Sequence, residues 1–148
     1  MVDETNLSSA NEVARADVIR ISGSMMAAIE RALIGTGIDF VAALRMVRLQ
    51  LADDYPFLDP VALNASGNQF EYANNQATIS GEVSIDTYVA GLSEALRRVV
   101  NQAAVGDNAR RVRERVGLEL AMLARKDRTL TRSGFGPQLD RIAGTKVI

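Results

Sequence analysis

Residues 84–127 carry two apolar stripes at helical spacing, separated by a turn at Gly106, and the rest of the chain has to cover them. In 84–104 the residues Ile85, Tyr88, Val89, Leu92, Leu96, Val99, Val100 and Ala103 recur at steps of three and four, which lines one face of an α-helix and not one face of a strand. Ser84 or Asp86 is the natural cap, since a side-chain oxygen there takes an amide hydrogen left unpaired in the first turn. Gly91 interrupts the pattern at a cost of about 1 kcal/mol relative to alanine and marks a close contact with another helix.

The second helix is expected to start at Asp107, with Val112, Val116, Leu120 and Leu123 on its stripe and Leu118 and Met122 widening it. Arg110–Glu114 and Arg115–Glu119 are spaced for ion pairs along the helix. A short turn favours antiparallel neighbours, and such a pair cannot bury both stripes unaided.

The preceding residues supply the cover. Asn11 or Asp17 starts a helix that runs to about Ile34, with Val18, Ile21, Met25, Ile29, Ala32 and Leu33 facing inward; Ser22-Gly23-Ser24 is a kink or break within it. Met25 and Met26 read as core filling. Thr36-Gly-Ile-Asp39 resembles a capping box. The helix after it buries Phe40, Leu44, Val47 and Leu51, broadened by Val41, Ala43 and Met46, with Arg45 and Arg48 on the opposite side. Pro56 stops it, because the residue before a proline is pushed towards extended geometry.

Asp53-Asp54-Tyr-Pro-Phe-Leu-Asp59-Pro60 places two carboxylates at a helix C-terminus, against the macrodipole. Asp53, Asp54 and Asp59 together are a candidate Mg²⁺ or Ca²⁺ site, but they lack the glycine and the alternating ligands of a calcium loop. A rigid corner, with Tyr55, Phe57 and Leu58 tucked onto the core, is the preferred reading. Residues 64–68 read as a polar turn. Residues 69–80 then read as a β-hairpin turning at Asn74-Asn75, since asparagine tolerates the positive φ of tight turns. A two-residue loop pairs Phe70 with Ile79, Glu71 with Thr78 and Tyr72 with Ala77, which separates apolar from polar faces. An isolated ribbon is marginal, so Phe70, Tyr72 and Ile79 must lie on helices or on a partner.

After Asp127, residues 128–136 read as a loop, Gly136-Pro137 opens a short helix to Ala143, and Gly144 ends it. The apolar tip of 145–148 docks on the body or on a neighbouring subunit. The expected fold is therefore α+β and predominantly α: about four long helices, the hairpin and a short C-terminal helix. Residues 1–10 are expected to be a flexible start and 11–148 one domain.

Cysteine and histidine are both absent, which excludes disulfides, thiolate or imidazole metal sites and the nucleophile–histidine relays. Neither a glycine-rich phosphate loop nor an internal repeat occurs. The first ten residues lack the pattern of a secretory signal, so the expected compartment is the cytoplasm, with no membrane span.

Charge is uneven: residues 1–85 hold 5 Arg and 11 Asp/Glu, a net of −6, and residues 86–148 hold 12 Lys/Arg and 7 Asp/Glu, a net of +5. Only Lys126 and Lys146 among the 17 basic residues are lysine; arginine suits bidentate interfaces, though a GC-rich genome gives the same bias.

These features point to a non-catalytic interaction or regulatory module that self-associates or docks a protein partner. Phe70, Tyr72, Arg111 and Arg115 are its candidate interface residues, and no cofactor, metal or catalytic residue is assigned. One alternative is a nucleic-acid regulator using Arg110, Arg111, Arg113 and Arg115; Glu114, Glu119 and a sequence pI near 5.5 argue against it. A small-ligand sensor, or an enzyme using a carboxylate pair such as Asp59 and Glu71, is the other.

Overall fold

The computed structural model describes residues 13–61 and 69–147. The expected turn at 64–68, the start of the chain through Glu12 and the last residue lie outside these. The described residues form helix α1 (Arg15–Ala32), helix α2 (Phe40–Leu51), a hairpin of β1 (Gln69–Ala73) and β2 (Gln76–Ser80), helix α3 (Ile85–Ala103), helix α4 (Ala109–Lys126), a helical turn α5 (Thr129–Arg132) and helix α6 (Leu139–Ala143). The fold is α+β and predominantly α.

Local chemistry accounts for the ends of these elements. Ser84 caps α3, its hydroxyl accepting from the Thr87 amide at 3.1 Å. The cap of α2 is Asp39, accepting from the Ala42 amide at 3.3 Å, and not Thr36, which donates to the Leu33 carbonyl and closes the preceding turn. Gly144 ends α6 in the left-handed region at φ 71°. Asp107 does not cap α4: residues Gly106–Asn108 wind as a 3₁₀ turn, and the helix begins at Ala109. The stretch expected as a loop at 128–136 contains α5, because Leu130 and Phe135 are both drawn into the core.

The hairpin has the expected register, Phe70 opposite Ile79 and Tyr72 opposite Ala77. Asn74 and Asn75 take φ of 52° and 62°, the left-handed pair that matches the twist of a two-residue turn. Its cover is α1. There the helix runs unbroken through Ser22-Gly23-Ser24, and β2 crosses it at Gly23.

Packing departs from the expected central pair. α4 lies chiefly on α1, whereas α3 lies chiefly on α2 and α6, so the sequential neighbours α3 and α4 touch only lightly. Both helices gain a better partner elsewhere for stripes that neither can bury on the other. At Gly91 the close approach is to the Tyr55–Phe57 corner and not to a helix: a Cβ there would lie 2.8 Å from Phe57 Cε1 and Tyr55 Cδ1. That corner forms as expected, with Phe57 and Leu58 fully buried.

Three side-chain assignments on the helices are corrected. Val41 and Met46 of α2, and Leu118 and Met122 of α4, are exposed instead of widening the buried faces. Arg48 points inward: its guanidinium donates to the carbonyls of Leu58 at 2.8 Å and Phe70 at 2.7 Å and lies 5.1 Å from the centre of the Phe70 ring. Glu119 pairs with Arg31 of α1 at 3.3 Å and not with Arg115. The tail docks on the body, the Val147 amide donating to Asp140 Oδ1 at 2.8 Å.

Candidate functional site

The candidate interface residues separate into two groups. Phe70 is sealed in the core, with its ring against Phe57, Tyr88 and the Arg48 guanidinium, and it presents nothing to another molecule. An alternating strand places its larger residues on the buried face once a helix supplies that face. Tyr72 is half-buried: its ring meets Phe40 edge-on at 5.7 Å and its hydroxyl donates to Glu30 at 2.9 Å. Burial, then the bond to the Glu30 carboxylate, raises the Tyr72 phenol well above its usual value. Phe70 and Tyr72 hold the hairpin to α1 and α2.

The arginine cluster divides by helical phase. Arg113 turns inward, donating to Asn101 at 3.1 Å and to the Ala143 carbonyl at 3.4 Å, and so ties α4 to α3 and α6. Arg110 pairs with Glu114 at 3.0 Å on an open face, a contact worth only tenths of a kcal/mol. Arg111 and Arg115 are exposed, and neither forms an ion pair or hydrogen bond with another described residue.

Arg111 and Arg115 begin a longer stripe. From Arg111 the steps run four, three, four, three to Arg115, Leu118, Met122 and Arg125, and all five are exposed. Leu118 is 61% and Met122 50% exposed, large apolar side chains at the centre of an arginine-ended row. The inward face of α4 is already filled by Val112, Val116, Gly117, Leu120 and Ala124. The outward row thus repeats the spacing of a helix-pairing seam with no helix on it. Leu118 and Met122 escape a reading that assigns every apolar residue to the core, and Arg125 one that stops at the 110–115 cluster. The seam spacing continued from Arg111 is the signal that finds them.

Charges elsewhere are committed within the fold. Glu94 accepts from Arg97 at 2.6 and 3.0 Å and from Arg98 at 3.0 Å, and these bonds, led by Arg97, lower its carboxyl to about 2. A recess of about 210 Å³ beside Glu94 is lined by Tyr55, Ser93, Arg97, Gln138 and Arg141, and the Ser93 hydroxyl is buried there. Burial draws Arg48 below its usual range, while Glu71 and Asp59 act to raise it, so both members of the carboxylate pair considered from sequence serve as its counter-charges. Asp53, Asp54 and Asp59 do not converge: among the described residues no group of three or more acidic side chains is placed to hold a metal ion. Nor is any helix among them long and apolar enough to cross a membrane.

Among the described residues two ion pairs join the halves of the chain, Arg20–Asp127 at 2.8 Å and Arg31–Glu119 at 3.3 Å. Each runs from an arginine of the acidic half to a carboxylate of the basic half. These contacts therefore leave the charge surplus of each half uncompensated.

Fold and surface together define the class: a predominantly helical α+β protein whose helix α4 carries an exposed row of arginines with Leu118 and Met122 at its centre. Comparison of the chain with protein-family models, with curated proteins and with solved structures gives no match.

Proposed function

We propose that this protein is a non-catalytic interaction module that docks an acidic amphipathic helix of a partner protein on the outer face of α4. The observation behind it is the exposed row Arg111, Arg115, Leu118, Met122 and Arg125 at seam spacing. Leu118 and Met122 supply the apolar centre. Methionine adapts its shape to whatever packs against it. The arginines at both ends select carboxylates, which they grip in bidentate geometry.

A second copy of α4 is a poor occupant of this face. An antiparallel pairing about Leu118 sets Arg111 against Arg125 of the other copy, and a parallel pairing sets each arginine against itself; both are repulsive. A nucleic-acid backbone matches the arginines but not the Leu118–Met122 centre, and Glu114 and Glu119 flank the row.

The test is fluorescence anisotropy with a labelled synthetic helical peptide carrying Leu at the seam positions and Glu beside them. Saturable binding on the order of micromolar is expected for a contact of this size. It should weaken about tenfold or more in R111E/R115E and vanish in M122D. No binding at low salt overturns the docking role. Binding of duplex DNA that falls steeply with salt, in place of the peptide, would give the face to nucleic acid.

A further inference from the structure

Helix α2 is apolar almost all round. Phe40, Leu44, Val47 and Leu51 occupy its buried face, yet Val41, Met46 and Leu49 are 51%, 56% and 47% exposed on the other. A helix of that kind is ordinarily covered on both sides. The outward row runs Ala42, Met46, Leu49, Asp53 at steps of four, three and four, with Arg45 beside it. Asp53 continues the helical path, since the chain still makes an i to i+4 bond from the Tyr55 amide to the Leu51 carbonyl at 2.8 Å.

We infer that the outer face of α2 is the contact between two copies of this chain, paired antiparallel about a two-fold axis between Met46 and Leu49. The charge pattern selects both the occupant and the direction. With the helices parallel, Arg45 meets Arg45 and Asp53 meets Asp53. With them antiparallel, Met46 of one copy covers Leu49 of the other, and Arg45 comes within reach of Asp53 on the other copy, twice by symmetry.

The same arrangement compensates the carboxylates that oppose the macrodipole of their own helix. Asp53 and Asp54 of each copy come to lie by the N-terminal turn of the facing α2, where the dipole favours negative charge. Ala42 is the small residue they pass over. Asp39, the other carboxylate at that end, is turned onto the Ala42 amide as the cap. The α4 row has no such self-complementarity, so the two faces take different occupants.

Sedimentation equilibrium of the full chain tests this. The expected mass at tens to hundreds of micromolar is twice that of the chain, in keeping with a small interface. L49D should return it to the single-chain mass and melt as the parent does at dilutions where the parent is also a single chain, because Leu49 contributes little to the core. R45D and D53R should each weaken the dimer about tenfold, and R45D/D53R should restore most of that loss. A single-chain mass throughout overturns the inference, as does a dimer that L49D leaves intact. If L49D dissociates the dimer but the double reversal restores nothing, the antiparallel pairing is wrong.

Discussion

Gly23 of α1 and Ala77 of β2 approach so closely that a Cβ on residue 23 would lie 2.7 Å from the Ala77 backbone nitrogen and 3.1 Å from the Gln76 Cα. This crossing is where the hairpin is seated. A glycine inside a helix costs about 1 kcal/mol, and here the missing side chain lets a strand backbone rest on the helix.

Gly23→Ala should therefore be destabilising even though alanine is the better helix former. The obstruction is backbone, which cannot rotate away as a flexible side chain can, so the expected net loss is about 1–3 kcal/mol. Urea unfolding followed by circular dichroism measures it. A gain in stability would mean that the hairpin is not held at this crossing.

Ser22 and Tyr88 form a buried hydroxyl pair at 2.7 Å, and Ser22 also donates to the Ile19 carbonyl at 2.6 Å. The single serine hydrogen is thus committed, and Tyr88 is the donor to Ser22. Burial pushes the Tyr88 phenol up to about 12, which keeps that proton in place. Removing the serine oxygen strands a buried phenol, whereas removing the phenol leaves the serine still bonded. Ser22→Ala should cost about 1–3 kcal/mol and Tyr88→Phe about 1 kcal/mol or less. The order of the two midpoints in denaturant checks this.

Arg48 satisfies two carbonyls, those of Leu58 and Phe70, from one planar group. Arg48→Met keeps the stem but leaves both acceptors unpaired near the core, for an expected loss of about 2–4 kcal/mol. Arg48→Lys should recover only part of it, because a single ammonium cannot reproduce the fork. Arg48→Lys as stable as the parent would show that the charge, and not the geometry, matters.

The Glu94 carboxyl is held at about 2, chiefly by hydrogen bonds from Arg97 and then Arg98, well below the ordinary glutamate value. A folded-state value below the unfolded one adds stability above the unfolded pKa, and that stability is lost as pH falls through the folded pKa. Glu94→Gln should therefore be less stable than the parent at neutral pH. Since the three side chains lie at the surface of one helix, the difference should be about 1 kcal/mol, shrinking between roughly pH 4 and pH 2. Paired melts across that range measure it.

Local pattern alone was enough for the long helices and the hairpin, though not for α5. The Asn74-Asn75 turn and the alternation around it specify the hairpin register, because a two-residue loop allows only one pairing that keeps Phe70, Tyr72, Ala77 and Ile79 on one face. The Ser84 cap and the Gly144 end follow equally from chemistry within a few residues. Of the candidate interface residues, Arg111 and Arg115 were readable as surface because α4 has a strong stripe on its other side.

What the chain could not decide locally was which of two apolar faces points inward, and against what. Helix α2 has apolar residues on both sides, so periodicity leaves Val41, Met46 and Arg48 open until the corner at Phe57 and strand β1 arrive to claim one side. Phe70 reads from sequence as a contact residue because nothing near it in the chain announces that Phe57, Tyr88 and Arg48 will cover it. Adjacency in the chain suggested that α3 and α4 pair, but burial is summed over all neighbours, and α1 covers α4 more fully than α3 can.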